Sequence, residues 1–318
     1  MRYNALTRAY PWGICATLVG LLTACVRPQE APPVHWQQSA WRAPEQEMAA
    51  PRARMGAVQP LPPRLAVVLG EGFRKQVQVM EWGESPRAIA TPTPPYVGPA
   101  PPRISADGRY LVYTSPKGPG MRLVLWDIPG NREIILPGLA EGFPRDPDLS
   151  AHANYLIFLD GPVRNTRLRV YDRTRFELQE WPLPTQLAVT LRQPTLSGDG
   201  RIVAVEAASH QGDRNILLFE RETQRPLTPQ SVNSPAEERA PTLSMTGRYL
   251  AYTSNTGGTL DILIHDRVRE RAVSGFAANT LQDEDHPRFS GEATEWLHYT
   301  RSATKQVNWV ITPFNSED

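Results

Sequence analysis

One short phrase, Pro-x-x-Ser, returns five times in this 318-residue chain at an almost fixed spacing. It reads Pro102-Arg-Ile-Ser105, Pro147-Asp-Leu-Ser150, Pro194-Thr-Leu-Ser197, Pro241-Thr-Leu-Ser244 and Pro287-Arg-Phe-Ser290. The serines are 45, 47, 47 and 46 residues apart. Self-similarity at a fixed period marks one supersecondary unit used repeatedly, and a period in the mid-forties fits a four-stranded propeller blade. It is too long for ankyrin, tetratricopeptide or leucine-rich repeats.

The contents of the repeat agree. Each anchor serine is followed by a turn, with Asp107-Gly108, Asp199-Gly200 and Gly247 as its clearest forms. Glycine there accepts the positive φ that a tight turn needs. A β-rich run comes next, as in Tyr110–Tyr113, Tyr155–Phe158, Ile202–Val205, Tyr249–Tyr252 and Trp296–Tyr299. After a polar loop a second run follows, and Asp127, Asp172, Glu220 or Asp266 closes it. Those acids read as turn or capping residues rather than catalytic groups. No helix period appears in the repeat. A single such sheet cannot bury both of its faces, whereas packing neighbours around an axis does.

The ends set the count. Leu65–Leu69 and Val77–Trp82 match the second and third strands of a further unit, whose first strand falls near Val58. Trp296–Tyr299 and Val307–Ile311 supply two strands after the last anchor. The expectation is an all-β chain, a β-propeller of six four-stranded blades over residues 57–318, with strands of the two termini sharing a blade.

Ser105-Ala-Asp-Gly-Arg109, Ser197-Gly-Asp-Gly-Arg201 and Ser244-Met-Thr-Gly-Arg248, in register with the two β runs, resemble the WD40-like propeller repeat of the TolB family. That repeat reads approximately Pro-x-aromatic-Ser-Pro-Asp-Gly-Arg, and the resemblance covers residues 57–314. It implies a six-bladed TolB-like propeller that binds a protein or peptide at its funnel face. The family's eponym is a periplasmic partner of the peptidoglycan-associated lipoprotein in the Tol–Pal system. It is soluble and carries an α/β domain ahead of its propeller. Here a tether stands in that place and the chain is itself expected to be lipidated, so only the propeller and its binding mode carry over.

The N-terminus points to a compartment. Arg2 and Arg8 precede an apolar stretch from Ala9 to Ala24, too short for a confident span. Leu22-Thr23-Ala24-Cys25 then resembles a bacterial lipobox. Residues 1–24 are therefore expected to be a lipoprotein signal peptide, with Cys25 the lipidated residue of the mature chain. Val26 after that cysteine favours outer-membrane sorting over inner-membrane retention. Residues 25–56 read as a Pro-rich tether, carrying Trp36 and Trp41, that holds the propeller off the lipid surface.

Removal of Arg2 and Arg8 from the chain's 34 basic and 33 acidic residues leaves a formal charge of −1, with no basic excess for nucleic acid. Of the two cysteines only Cys25 remains, so no disulfide or thiol nucleophile is expected. His35, His152, His210, His265, His286 and His298 show no metal-ligand spacing. No nucleophile elbow, His-Glu-x-x-His or phosphate loop occurs, and Gly70-x-Gly72 lacks a third glycine. No metal, cofactor or catalytic residue is expected. With Asp318 the last residue, no hydrolase domain of prolyl-oligopeptidase type is expected behind the repeats.

Binding residues are sought at the funnel. Five residues before each anchor serine stand Ala100, Arg145, Arg192, Arg239 and Asp285, with His286 beside the last. Three consecutive blades thus offer a guanidinium at one station, suited to a carboxylate or other anion. The alternative is that each arginine pairs with an acid of the next blade and fastens the ring, since Glu237, Glu238, Asp283 and Glu284 lie in neighbouring loops. The function expected is a non-enzymatic, lipid-anchored envelope protein on the periplasmic side. Its propeller is a monomer that binds an envelope protein or peptide at the funnel. The alternative is a propeller enzyme acting on envelope glycans, which needs carboxylates converging from at least two blades.

Overall fold

The structure is a computed structural model that describes residues 64–69, 75–81, 87–92, 98, 100–139, 142–162, 166–181, 189–209, 212–273, 279–290, 296–303 and 306–314. Cys25, the signal and tether segments, Trp36, Trp41, the strand expected near Val58, Gly70, Gly72, His35 and His210 lie outside the described residues.

Every regular element among the described residues is a β-strand, and the strands form six antiparallel sheets, each from one contiguous stretch of chain. The first holds β1 (Arg64–Leu69), β2 (Gln76–Glu81) and β3 (Arg87–Ala90). The second holds β4 (Arg103–Ile104), β5 (Tyr110–Lys117), β6 (Gly120–Asp127) and β7 (Arg132–Ile134). The third holds β8 (Arg145–Leu149), β9 (Tyr155–Asp160), β10 (Arg167–Asp172) and β11 (Glu177–Trp181). The fourth holds β12 (Val189–Leu196), β13 (Ile202–Ser209) and β14 (Arg214–Glu220), with a bridge from Phe219 to Pro226 in the fourth-strand position. The fifth holds β15 (Glu238–Leu243), β16 (Tyr249–Ser254), β17 (Asp261–Asp266) and β18 (Arg271–Ala272). The sixth holds β19 (Asp283–Ser290), β20 (Trp296–Ala303) and β21 (Gln306–Pro313). Among the described residues three sheets have four strands and three have three. Among the described residues no strand of one terminus pairs into the sheet of the other.

Alternation along each strand builds the ring. Neighbouring side chains on a strand point to opposite faces. In β9, Leu156 and Phe158 therefore pack towards the second sheet, and Ile157 and Leu159 towards the fourth. Five apolar clusters fill the five interfaces from the first sheet to the sixth in this way. The residue before each anchor serine joins the cluster facing the preceding sheet, as Leu149, Leu196, Leu243 and Phe289 show. The first strands β4, β8, β12, β15 and β19 touch in succession.

The anchor serine closes the turn to the second strand. Its Oγ accepts the N–H of the residue five places on, at 2.8 Å for Ser105–Tyr110, 3.1 Å for Ser150–Tyr155, 3.0 Å for Ser197–Ile202 and 3.0 Å for Ser244–Tyr249. Gly108, Gly200 and Gly247 take φ of 67°, 73° and 70° there, and in the third sheet Ala153 takes the same place at 52°. These turns are stitched head to tail: Ala151 N–H donates to Gly198 O at 2.8 Å, and Asp199 N–H to Met245 O at 2.8 Å. The acid after the third strand caps its own turn, as expected. Asp172 Oδ1 accepts Thr174 N–H at 2.8 Å and Asp266 Oδ1 accepts Val268 N–H at 3.0 Å.

Candidate functional site

The four funnel stations with a charged residue are made by one backbone device. The ladder between first and second strands slips between Arg145 and Asp148, Arg192 and Thr195, Arg239 and Thr242, and Asp285 and Arg288. The residue after each station, Asp146, Gln193, Ala240 or His286, has φ between 43° and 56°. Proline follows each of them and donates no ladder bond. A bulge of this kind bends the strand and re-aims the side chain beside it.

The structure separates the three arginines. Arg239 Nη2 lies 2.5 Å from Asp285 Oδ2 on the next sheet, so here the station is a fastener. Asp285 also accepts Thr253 Oγ1–H at 2.8 Å, and His286 Nδ1 stands 3.2 Å from it. Burial pushes the Asp285 carboxyl up, but the hydrogen bond and charge of His286 and the charge of Arg239 outweigh it and hold the group well below the usual carboxylate range. Arg145 instead donates to Thr166 of its own sheet, and its buried Nε has no hydrogen-bond partner. Arg192 is exposed, stands opposite Glu206 in the β12–β13 ladder and, among the described residues, makes no side-chain hydrogen bond or ion pair. The fastener expectation thus describes one arginine of three.

Glu206, which sequence reasoning missed, lies between these stations. It is 1% exposed, accepts Ala240 N–H at 3.2 Å, and has Arg214 Nη1 at 3.6 Å. Burial raises its carboxyl despite that hydrogen bond and the charges of Arg214, Arg192 and Arg239. Arg192 and Arg239 are therefore brought together around Glu206, whereas Arg145 is turned aside. The signal was available: Glu206 is the one charge in the apolar run Ile202–Ala208.

The loop acids have local work. Glu284 is fully buried between Thr280 Oγ1 at 2.6 Å and Arg301 Nε at 2.8 Å. Glu238 holds Ser234 Oγ at 2.5 Å. Two apolar side chains stand out in the loops that lead into first strands: Phe143 is 56% exposed and Leu281 98%. Among the described residues no group of three or more His, Cys, Asp or Glu side chains is placed to hold a metal.

Six sheets, each one sequence repeat long and set side by side around first strands, define a β-propeller. Its form is TolB-like. The crystal structure of TolB from Acinetobacter baumannii superposes with a TM-score of 0.53 at 14% identity, covering 77% of this chain and 66% of that one. A protein described as TolB from Agrobacterium tumefaciens superposes with a TM-score of 0.52 at 15% identity, covering 72% and 81%. The chain therefore spans just under two thirds of the Acinetobacter protein's length. At these identities the likeness is one of fold. No family model matches the sequence, and no curated protein matches it.

Proposed function

We propose that this chain is a lipid-anchored protein of the bacterial cell envelope, on the periplasmic side, whose propeller binds a protein or peptide partner at its funnel face without chemistry. One observation carries the reading. Arg145 and Arg192 hold the same station on neighbouring sheets, and among the described residues neither side chain makes an ion pair, while Arg239 at the third station is clasped by Asp285. A guanidinium offers a rigid fork of donors to a carboxylate, so a partner's acidic side chain or C-terminus suits these two. Phe143, two residues before Arg145, adds exposed aromatic surface of the kind interfaces use. The TolB-like fold and the Leu22–Cys25 lipobox support the envelope location, with outer-membrane sorting the finer expectation.

The test is crosslinking and pull-down of the lipidated protein from its own envelope, against the Arg145→Ala/Arg192→Ala variant. The expected result is a captured partner that the double variant, folded as the wild type is, loses by about tenfold or more. Undiminished capture by the variant overturns the rim assignment. Cys25→Ser is expected to move the protein from the membrane fraction to the soluble one.

A second reading rests on Asp261. It stands at the start of β17, where burial and the charges of Glu284 and Asp283 on the next sheet raise its carboxyl. A raised acid beside a second carboxyl group is the pairing used in glycoside hydrolysis. Turnover of envelope glycan by the purified protein, abolished by Asp261→Asn, would establish that reading in place of the first.

A further inference from the structure

We propose that the end of the propeller opposite the arginine stations docks on an anionic lipid surface, with Phe176 and Val268 as its apolar tips. This goes beyond the partner at the funnel and uses none of the residues assigned to it. Each station stands near the start of its first strand and the anchor serine at or just past its end, so the serine turns lie at the far end of the sheets. The turns after the capping acids lie there too. Ile128 N–H donates to Arg109 O at 2.9 Å, Arg173 N–H to Asn154 O at 2.8 Å, Arg221 N–H to Arg201 O at 2.7 Å and Arg267 N–H to Arg248 O at 2.8 Å. Each of these bonds ties the two turns of one sheet together. Asp107 N–H to Ala151 O at 3.4 Å, with the bonds from Ala151 to Gly198 and from Asp199 to Met245, joins the second sheet through to the fifth. Four sheets thus share one continuous face of turns.

The turns after the capping acids share one backbone. The fourth residue past the acid is Asn131, Phe176, Gln224 or Glu270, with φ of 46°, 57°, 57° and 50°. Asparagine suits a positive φ, whereas a bulky side chain there is an outlier. Phe176 takes that conformation and still leaves its side chain exposed, at 57% for the residue. It carries the backbone cost with little burial to offset it, and strain kept in that way points to a binding surface. In the fifth sheet the bare apolar residue is Val268, two places past the acid and 73% exposed. Thr174 and Glu222 hold that place in the third and fourth sheets. Arginine flanks both tips. Arg175 precedes Phe176 and Arg269 follows Val268, each largely exposed and 3.9 Å from the buried capping acid, Asp172 or Asp266. The exposed arginines of the face are Arg109 and Arg132 on the second sheet, Arg175 on the third, Arg201 and Arg225 on the fourth, and Arg269 and Arg271 on the fifth. They outnumber its exposed carboxylates, Glu177, Asp199, Glu222 and Glu270. Bare apolar tips beside guanidinium groups suit the headgroup layer of an anionic bilayer, where the tips reach the acyl boundary and the arginines reach phosphate. The lipid anchor proposed at Cys25 would hold the face within reach of such a surface.

Co-sedimentation with vesicles tests the face, using the chain from residue 25 onward with Cys25→Ser so that no acyl chain contributes. The expected result is binding to vesicles rich in phosphatidylglycerol that weakens about tenfold or more on phosphatidylcholine alone. Phe176→Asn is expected to cut that binding about tenfold. It is also expected to keep or raise the urea midpoint, because asparagine accepts this φ. Val268→Ser is expected to cut binding about fivefold. Leu281→Ser, equally bare but in a loop at the station end, is expected to leave it unchanged. No binding to the phosphatidylglycerol vesicles, or binding that Phe176→Asn keeps in full, overturns the proposal. So does a lower urea midpoint for Phe176→Asn, which would make the ring a packing element of the fold. Self-association that Phe176→Asn abolishes, without vesicle binding, would make the face an interface between copies and overturn the lipid assignment. Vesicle binding lost in Phe176→Asn while partner capture persists supports the proposal and separates it from the funnel's assignment.

Discussion

At the scale of single residues, the anchor serine is a buried acceptor before it is a period. Ser197 is fully buried and its Oγ takes the N–H groups of Arg201 at 3.1 Å and Ile202 at 3.0 Å while donating to Asp199 at 2.5 Å. Ser197→Ala leaves those two donors without that acceptor in a buried turn. The expected cost is about 1–3 kcal/mol, read as a lower urea midpoint with an unchanged m value. His298 makes a prediction about pH. It is 4% exposed, and burial pulls its imidazole down to about 4 from an ordinary 6.5. The unfolded chain then binds a proton first as pH falls, so stability present above about 6.5 is lost on the way to about 4. At about 1.4 kcal/mol per unit the loss is roughly 3 kcal/mol. Urea titrations across that window are expected to show the fall in the wild type and a flatter profile in His298→Gln; equal slopes would mean the group does not titrate as buried.

At the scale of elements, the bulged first strand decides whether a station arginine fastens the ring or faces a partner. The backbone device is the same in four sheets, so the difference lies in what the next sheet presents: Asp285 opposite Arg239, and among the described residues no ion-paired carboxylate of the next sheet for Arg145 or Arg192. A double-mutant cycle of Arg239→Ala and Asp285→Ala is expected to give a coupling of about 1–3 kcal/mol in urea unfolding. Arg192→Ala, which loses no hydrogen bond or ion pair of the side chain among the described residues and only the charge that Arg192 sets against Glu206, is expected to stay within about 0.5 kcal/mol of wild type. A destabilised Arg192→Ala would return that residue to the fasteners. The same contrast shows what was legible in the sequence. The strands, the Asp-Gly turns and the capping acids were readable because each follows from local chemistry repeated in register. The pairing at the stations was not, because it depends on where the neighbouring sheet's bulge sends its side chain. Nor was the arginine after the capping acid, where Arg173 Nε donates to Ala153 O at 2.8 Å and Arg221 Nε to Gly200 O at 2.6 Å. Those bonds join the end of a third strand to a turn about 20 residues back, and spacing alone gives no reason to connect them.

At the scale of the molecule, the fold is a succession of sheets none of which covers its own faces, and this sets how far the chain can be shortened. The fifth sheet presents Tyr249, Ile262 and Ile264 to Leu297, Tyr299 and Phe314 around the sixth sheet. Tyr249 and Phe289 both meet Phe314 edge-on, at 5.0 and 5.2 Å between ring centroids. A chain ending at residue 273 would uncover that strip and release Arg239 from Asp285. Exposing three large apolar side chains costs about 1.5–3 kcal/mol each, which together approaches the whole stability of an ordinary domain at about 5–15 kcal/mol. Repeat arrays lacking a polar end cap also stick to one another through the bared face. The shortened chain is therefore expected to elute as oligomers in size-exclusion chromatography and to bind a hydrophobic dye, with a lower and broader urea transition than the full chain. A monodisperse 1–273 fragment with the wild-type midpoint would mean that each sheet is stable alone. That would contradict the two-sided burial seen along β9, where every second residue belongs to a different neighbour's core.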